Sequence, residues 1–162
     1  MPDSVNYVGV NHLVLVTKDM DATVRFYRDV LGMPLVATMG NRKAEFPYRH
    51  YFLSIGRGAA IAFFEWKDVD LAPRKDSGVP GSGRQFDHVS VGVESDADLD
   101  ELRKRLADLG TDVSEIVDHG IVRSVYVTDP NGISLEFSVA ARDLVVDPWF
   151  DDADPVPAAR GE

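Results

Sequence analysis

Residues 117–137, VDHGIVRSVYVTDPNGISLEF, concentrate side chains that can do chemistry. They supply an imidazole at His119, a phenol at Tyr126 and a carboxylate at Glu136. An imidazole and a phenol can donate or accept a proton, and a carboxylate can bind a metal ion or act as a base. Most loops and core strands need no such combination, so this segment is a candidate for part of a functional site.

A β-hairpin must position these groups. Two strand-like runs, IVRSVYVT and ISLEFSVA, flank residues 129–132. Pro130 presets φ for the second turn position, and Asn131 and Gly132 tolerate a sharp bend. Alternation along the second strand places Glu136 in mid-strand, with a serine on each side on the same face. Its carboxylate either lies on an exposed sheet face or turns into a cavity where a partner neutralises it.

Composition narrows the classes of function. A chain of 162 residues fits one domain, or two small halves that share a core. A formal charge of −10 argues against nucleic acid and anionic membranes as partners. The sequence contains no cysteine, so histidine and carboxylate side chains must hold any metal ion. There is no targeting signal or apolar stretch of membrane-spanning length, and we expect a cytoplasmic protein.

The first half of the chain predicts a βαβββ order. Residues 8–17, VGVNHLVLVT, predict a strand that is apolar on both faces and carries His12. Asp19 or Asp21 can cap the helix that follows, and Gly32 fits just past its end. Three further extended segments are predicted, at residues 34–38, 48–55 and 59–66. Glu65 lies near the end of the last segment.

The pattern restarts after residues 67–85, a proline- and glycine-rich stretch that predicts a linker or mobile loop. Residues 86–93, FDHVSVGV, predict a strand that carries His88. A capped helix with a leucine stripe and short strands follow, ending in the hairpin with Glu136. The second half is therefore also predicted to be βαβββ.

The two halves repeat in sequence, and the repeat places a histidine and a glutamate in equivalent positions of each half. His12 corresponds to His88, and Glu65 to Glu136. The predicted fold is α+β, with βαβββ modules at residues 1–66 and 86–140. An acidic extension, residues 141–162, follows; we expect its Trp149 and Phe150 to pack on the body.

A metal site is the hypothesis that this repetition favours. If the modules pair about a pseudo-twofold axis, four side chains can converge: His12, Glu65, His88 and Glu136. Two imidazoles with one or two carboxylates can hold Fe(II), Mn, Ni or Zn and leave positions open for a substrate. One isolated histidine of this kind is more often structural; four residues in register favour a metal site.

Residues 26–33, FYRDVLGM, and residues 86–89, FDHV, give the chain a family resemblance. Over residues 7–140 it resembles the vicinal oxygen chelate superfamily. This family includes glyoxalase I, extradiol dioxygenases, methylmalonyl-CoA epimerase, and fosfomycin and bleomycin resistance proteins. The resemblance implies two βαβββ modules that pair into an open, curved sheet barrel around a metal cleft. It implies metal ligands at His12, His88 and Glu136, and at Glu65 where a fourth exists.

The hairpin within residues 117–137 resembles the signature of extradiol dioxygenases more specifically. That resemblance implies that Glu136 binds the metal, and that Tyr126 and His119 form hydrogen bonds beside a metal-bound catecholate. The family usually has a further acid-base histidine before the second metal histidine, and residues 66–87 contain none. His50 is the remaining histidine, and we expect it to be structural.

Three hypotheses follow. The preferred one is a dioxygenase-like oxidoreductase with Fe or Mn, acting on a small aromatic or vicinal-oxygen substrate. The second is a glyoxalase I-like lyase or epimerase that uses four ligands with Ni, Zn or Co. The third is a metal-free protein that binds a small molecule such as an antibiotic. Phe63, Tyr51 and Ile61 are expected pocket walls, and the modules can pair within one chain or between the two copies of a homodimer.

Overall fold

A computed structural model describes residues 9–75 and 87–150. The first half contains β1 (His12–Val16), α1 (Met20–Val24) continued by a π-helical segment (Arg25–Val30), β2 (Leu35–Asn41), β3 (Tyr48–Gly56) and β4 (Ala59–Trp66). The second half contains β5 (Val89–Gly92), α2 (Asp96–Asp108), β6 (Val117–Asp118), β7 (Val122–Thr128) and β8 (Ser134–Ala140). Parts of the predicted linker and extension, residues 76–85 and 151–162, lie outside the described residues.

Each half forms a four-stranded mixed sheet, with strand orders β1-β4-β3-β2 and β5-β8-β7-β6. The first and last strands of each half pair in parallel, and the remaining pairs are antiparallel. The predicted α+β fold and the βαβββ repeat are confirmed. The curved sheets stay open, and they do not close into a barrel.

Local sequence explains where the helices begin and end. Asp19 caps α1 by accepting a hydrogen bond from Ala22 N at 2.9 Å, and Ser95 caps α2. Gly32 ends the first helical segment with φ of +76°, a conformation that glycine adopts without strain. Among the described residues, no helix is long and apolar enough to cross a membrane.

The turn at residues 129–132 forms as predicted and also joins the two halves. The buried Asp129 carboxylate accepts hydrogen bonds from the backbone N–H groups of Asn131 and Ile133. The hydroxyl of Tyr27, from the π-helical segment, donates to the same carboxylate at 3.0 Å. The turn of the second half is therefore anchored to the helix of the first half.

One face of each sheet packs against a helix, and the other does not. In the first sheet, Leu53, Ile61 and Phe63 are almost fully buried and pack in the core with Met20 and Tyr27 of the helical segments. The prediction that Ile61 and Phe63 line a pocket is therefore wrong, because both point into this core. We call the opposite side of each sheet its helix-free face.

Cross-strand pairing defines the helix-free faces, because residues opposite each other share a face. In the first sheet this face carries mainly apolar and aromatic side chains: His12, Val14, His50, Phe52, Ala62 and Phe64. In the second sheet it carries polar ones: Ser90, Ser124, Tyr126, Glu136 and Ser138. The two halves have the same topology and opposite surface chemistry.

Candidate metal centre

Glu136 lies at the centre of the polar helix-free face and is only 6% exposed. Oε1 accepts hydrogen bonds from the hydroxyls of Ser124 and Tyr126, the latter at 3.0 Å. Oε2 lies 3.0 Å from His88 Nε2. Of the two environments that the sequence allowed for this carboxylate, the structure shows the neutralised, largely buried one.

These contacts keep the carboxylate ionised. Burial is the largest single influence on the pKa of Glu136 and raises it, because the charged form loses water. Hydrogen bonds from Ser124, Ser90 and Tyr126, together with the charge of His88, outweigh the burial and hold the pKa below its ordinary value. A carboxylate in this state is suited to bind a cation.

A hydrogen-bonded series extends from Glu136 to the β6–β7 turn. Tyr126 donates to Glu136, and His119 Nε2 lies 2.9 Å from the Tyr126 hydroxyl oxygen. Because the phenol proton points to Glu136, the histidine must donate through Nε2. Burial, and then the hydrogen bond to Glu136 and its negative charge, raise the pKa of Tyr126. The structure thus brings together four of the six predicted site residues: His88, His119, Tyr126 and Glu136.

His12 lies on the helix-free face of the first sheet and does not join this group. Its Nδ1 is 2.7 Å from Asn11 Oδ1, and its ring centroid is 5.5 Å from that of Phe52. Within residues 9–75 and 87–150, no three His, Asp or Glu side chains lie close enough together to hold a metal ion. The expected convergence of four ligands is therefore not found within one chain.

Glu65 points away from His12, on the helix-packed face of the first sheet. Its Oε1 accepts a hydrogen bond from Met20 N at 2.8 Å, at the beginning of α1, and its Oε2 forms an ion pair with Arg49. Both oxygens thus have structural partners on the far side of the sheet from His12. Glu65 therefore does not lie beside His12, and its place in the ligand set stays a prediction.

Strand register identifies the true counterpart of Glu136 in the first half. Glu136 pairs with Tyr126 on one side and with Ser90, two residues after His88, on the other. In the first sheet, Ala62 pairs with Phe52 and with Val14, two residues after His12. Ala62, and not Glu65, therefore occupies the position equivalent to Glu136.

Comparison with known proteins agrees with the repeated topology. The sequence-family model of the Glyoxalase/Bleomycin resistance protein/Dioxygenase superfamily matches residues 9–137 of the chain. The chain belongs to this superfamily. It is 28% identical to the lactoylglutathione lyase of Haemophilus influenzae, over 78% of this chain and 88% of that protein. It is 30% identical to the iron-dependent extradiol dioxygenase of Rhodococcus jostii, over 88% of this chain and 46% of that protein.

A solved structure supports the same assignment. The glyoxylase/bleomycin resistance protein/dioxygenase domain from Frankia sp. EAN1pec superposes with a TM-score of 0.65 at 26% identity, covering 85% of this chain and 95% of that one. The named relatives within the superfamily include a lyase, a dioxygenase and a metallothiol transferase. Members of the superfamily are mostly metal-dependent enzymes, and membership leaves the reaction of this chain open.

Two residues of the candidate site, Ser90 and Ser124, were not predicted from the sequence. Both assist Glu136, and both lie on its face because they stand two residues from His88 and Tyr126, respectively. The period of two in a strand was the signal that could have found them. His50 agrees with its expected structural role: it is buried, stacks on Phe64 with centroids 3.7 Å apart, and its Nδ1 lies 3.2 Å from Phe63 O.

A cavity of about 1050 Å³ lies beside the C-terminal ends of β1 and β4, which are the ends away from His12. Lys18, Arg49, Tyr51 and Glu65 contribute to its lining. Tyr51 is thus a wall residue, as expected, although of a cavity whose lining does not include His12, His88 or Glu136.

Proposed function

We propose that this chain is an extradiol-dioxygenase-like enzyme that opens the ring of a small aromatic substrate with two adjacent oxygens. The observation that carries the proposal is the hydrogen-bonded series from His119 through Tyr126 to Glu136, beside His88. A lyase that depends on a second carboxylate ligand has less support, because Ala62 stands where that carboxylate would be needed.

The donors fit a divalent metal. His88 Nε2 and Glu136 Oε2 lie 3.0 Å apart, which is about the separation of two adjacent ligands that share one ion at about 2.1 Å. With His12 they would form a set of two imidazoles and one carboxylate, the set typical of non-haem Fe(II) oxygenases. The two substrate oxygens would chelate an Fe(II) or Mn(II) ion held by these residues, and such an ion would supply the Lewis-acid and redox chemistry that ring opening with dioxygen needs.

The residues around the metal ligands can hold and move protons. The Tyr126 hydroxyl is within hydrogen-bond reach of both Glu136 and His119. A diol must lose protons when it is chelated. Because Nε2 of the exposed His119 already carries a proton, Nδ1 is the nitrogen that would accept one, and the resulting imidazolium would still donate to Tyr126 through Nε2. The raised pKa of Tyr126 keeps the phenol protonated, and this proton would turn from Glu136 to a substrate oxygen when the carboxylate binds the metal.

The apolar helix-free face of the first sheet suits the ring of an aromatic substrate. Phe52 and Phe64 are half-buried on this face, and His12 lies beside Phe52. If this face covers the polar face of the second sheet, the ring contacts apolar side chains while its oxygens point to the polar groups.

A second copy of the chain would provide that cover. Within one chain His12 stands apart from His88 and Glu136, so we propose a homodimer in which the first sheet of each copy faces the second sheet of the other. An isologous dimer of this kind would form two identical sites, each with His12 from one copy and His88 and Glu136 from the other.

Anaerobic purification followed by elemental analysis and substrate assays tests the function. We expect about one Fe or Mn per chain, and oxygen-dependent ring opening within a panel of catechols. Nickel or zinc with turnover of a glutathione hemithioacetal would overturn the dioxygenase in favour of the lyase. Failure to retain any divalent metal after reconstitution, with intact binding of an aromatic ligand, would favour the metal-free binding protein.

A further inference from the structure

The indole of Trp149 rests directly on the turn that carries His119. A Cβ added at Gly120 would lie 2.9 Å from Trp149 Cη2, too close for a real side chain, and 3.3 Å from Cζ3, a tight contact that would require the indole to shift. Gly120 also has a φ of +78°, which disfavours other residues. The turn and the indole therefore fit each other only while residue 120 has no side chain.

Contacts within the segment after β8 hold Trp149 in this place. The Asp143 carboxylate accepts a hydrogen bond from Val145 N at 2.9 Å, which folds the chain into a turn. The guanidinium of Arg142 lies 4.5 Å from the centroid of the Trp149 ring and forms an ion pair with Asp147 at 3.4 Å. A cation–π contact at a partly exposed site contributes about 0.5–1 kcal/mol.

His119 depends on this turn for its orientation. Its backbone N–H donates to Val122 O at 2.9 Å, and Gly120 N donates to Asp118 Oδ1 at 2.8 Å. The side chain of His119 is exposed, and its Nε2 contacts the Tyr126 hydroxyl. The position of the imidazole beside Tyr126 is thus set mainly by the backbone of the turn, against which Trp149 packs.

We infer that Trp149 is a positioning residue that holds His119 in hydrogen-bonding contact with Tyr126. Its effect on turnover rests on the proposed function, whereas its effect on the His119 side chain does not. Phe150, the next residue, is 95% exposed, so the prediction that it packs on the body is wrong, and it provides a matched control in the same segment.

NMR of the apo protein tests the inference without any assay of activity. Side-chain ¹⁵N shifts should show His119 protonated at Nε2 in the wild type, and a mixture of tautomers in Trp149→Ala. Amide exchange at Gly120 should become about tenfold faster in the same variant. Phe150→Ala should change neither signal, and Trp149→Phe should restore both in part. Unchanged His119 signals in Trp149→Ala would overturn the inference.

Kinetics provide the second test. Trp149→Ala should lower kcat about tenfold, with KM changed less than about twofold. Because Trp149 acts through His119, the kcat of the double variant Trp149→Ala/His119→Ala should be no lower than that of His119→Ala alone. Additive losses would contradict this coupling. If no catechol is turned over, the proposed function fails while the NMR result still decides the role of Trp149.

Discussion

Ala62 of β4 occupies in the first sheet the position that Glu136 of β8 occupies in the second. Each pairs with the strand position two residues after the histidine of its own half, and each faces an aromatic residue across the antiparallel partner strand. The repeat thus places one carboxylate, and not two, on the faces that carry His12 and His88. The proposed metal site therefore has three ligands and not four.

Glu136→Gln and Glu65→Gln should therefore behave differently. We expect Glu136→Gln to lose at least about 100-fold in metal affinity, because an amide replaces the only carboxylate in the proposed set. Glu65→Gln should bind metal as the wild type does. Its free energy of unfolding should fall by about 1 kcal/mol or less, because the variant loses the ion pair with the half-exposed Arg49. Metal titration and chemical denaturation measure the two effects. Equal loss of metal in both variants would restore Glu65 as a ligand.

A site shared between two copies can be tested by complementation. His12→Ala and Glu136→Ala should each be inactive alone, because each breaks every site. After the two are unfolded together and refolded at equal amounts, half of the dimers should be mixed, and each mixed dimer should contain one intact site of its two. We expect about a quarter of the wild-type activity. Activity that stays at zero in a mixture shown to contain mixed dimers would place the whole site within one chain.

Removal of the Tyr126 hydroxyl should impair catalysis and leave the metal in place. Tyr126→Phe loses the hydrogen bonds to Glu136 and His119, so we expect kcat to fall by about 10²- to 10⁴-fold, the range for a general acid or base. Tyr51→Phe is the matched control, because Tyr51 pairs with Phe63 and so lies on the helix-packed face of the first sheet, away from His12. Steady-state kinetics at full metal occupancy make the comparison; a Tyr126→Phe variant as active as the control would remove Tyr126 from the mechanism.

Tyr27 should give the protein an alkaline limit of stability. Burial, followed by the charge of Asp129 and the hydrogen bond to it, raises the pKa of Tyr27 far above its ordinary value. The folded state therefore keeps a proton that the unfolded chain loses near pH 10. The contribution of Tyr27 to the free energy of unfolding is fully present below that pH. Above it, stability should fall by about 1.4 kcal/mol per pH unit from this residue.

Tyr27→Phe isolates that effect. At pH 7 the variant should be less stable by about 1–2 kcal/mol, since it lacks the hydrogen bond to Asp129. The deficit should shrink and then reverse as the pH rises above about 10, because phenylalanine has no proton to lose. Urea denaturation of both proteins from pH 7 to pH 11 measures the difference, and a deficit that is constant with pH would refute the assignment.

Local patterns in the sequence determined the elements of this fold and the grouping within its second half. The caps, the turn at residues 129–132 and the alternation around Glu136 are properties of neighbouring residues, so the helices, the hairpin and the series Tyr126–Glu136 could be predicted. The internal repeat added His88, and the family resemblance added the expected role of His119 beside Tyr126. The strand predicted at residues 8–17 formed as His12–Val16, within the expected bounds.

Tertiary structure alone decided which side of the first sheet each group occupies. Glu65 lies 53 residues after His12, whereas Glu136 lies 48 residues after His88. These spacings run through helices and loops, so they do not fix the face. Within β4, however, Glu65 lies three residues after Ala62, and with a side-chain period of two this odd separation places it on the opposite face; the observed register of β1 on β4 shows that Ala62 holds the position of the ligand. The separation of His12 from Glu136 and the packing of Trp149 on Gly120 likewise arise from contacts between distant segments, which local periodicity does not encode.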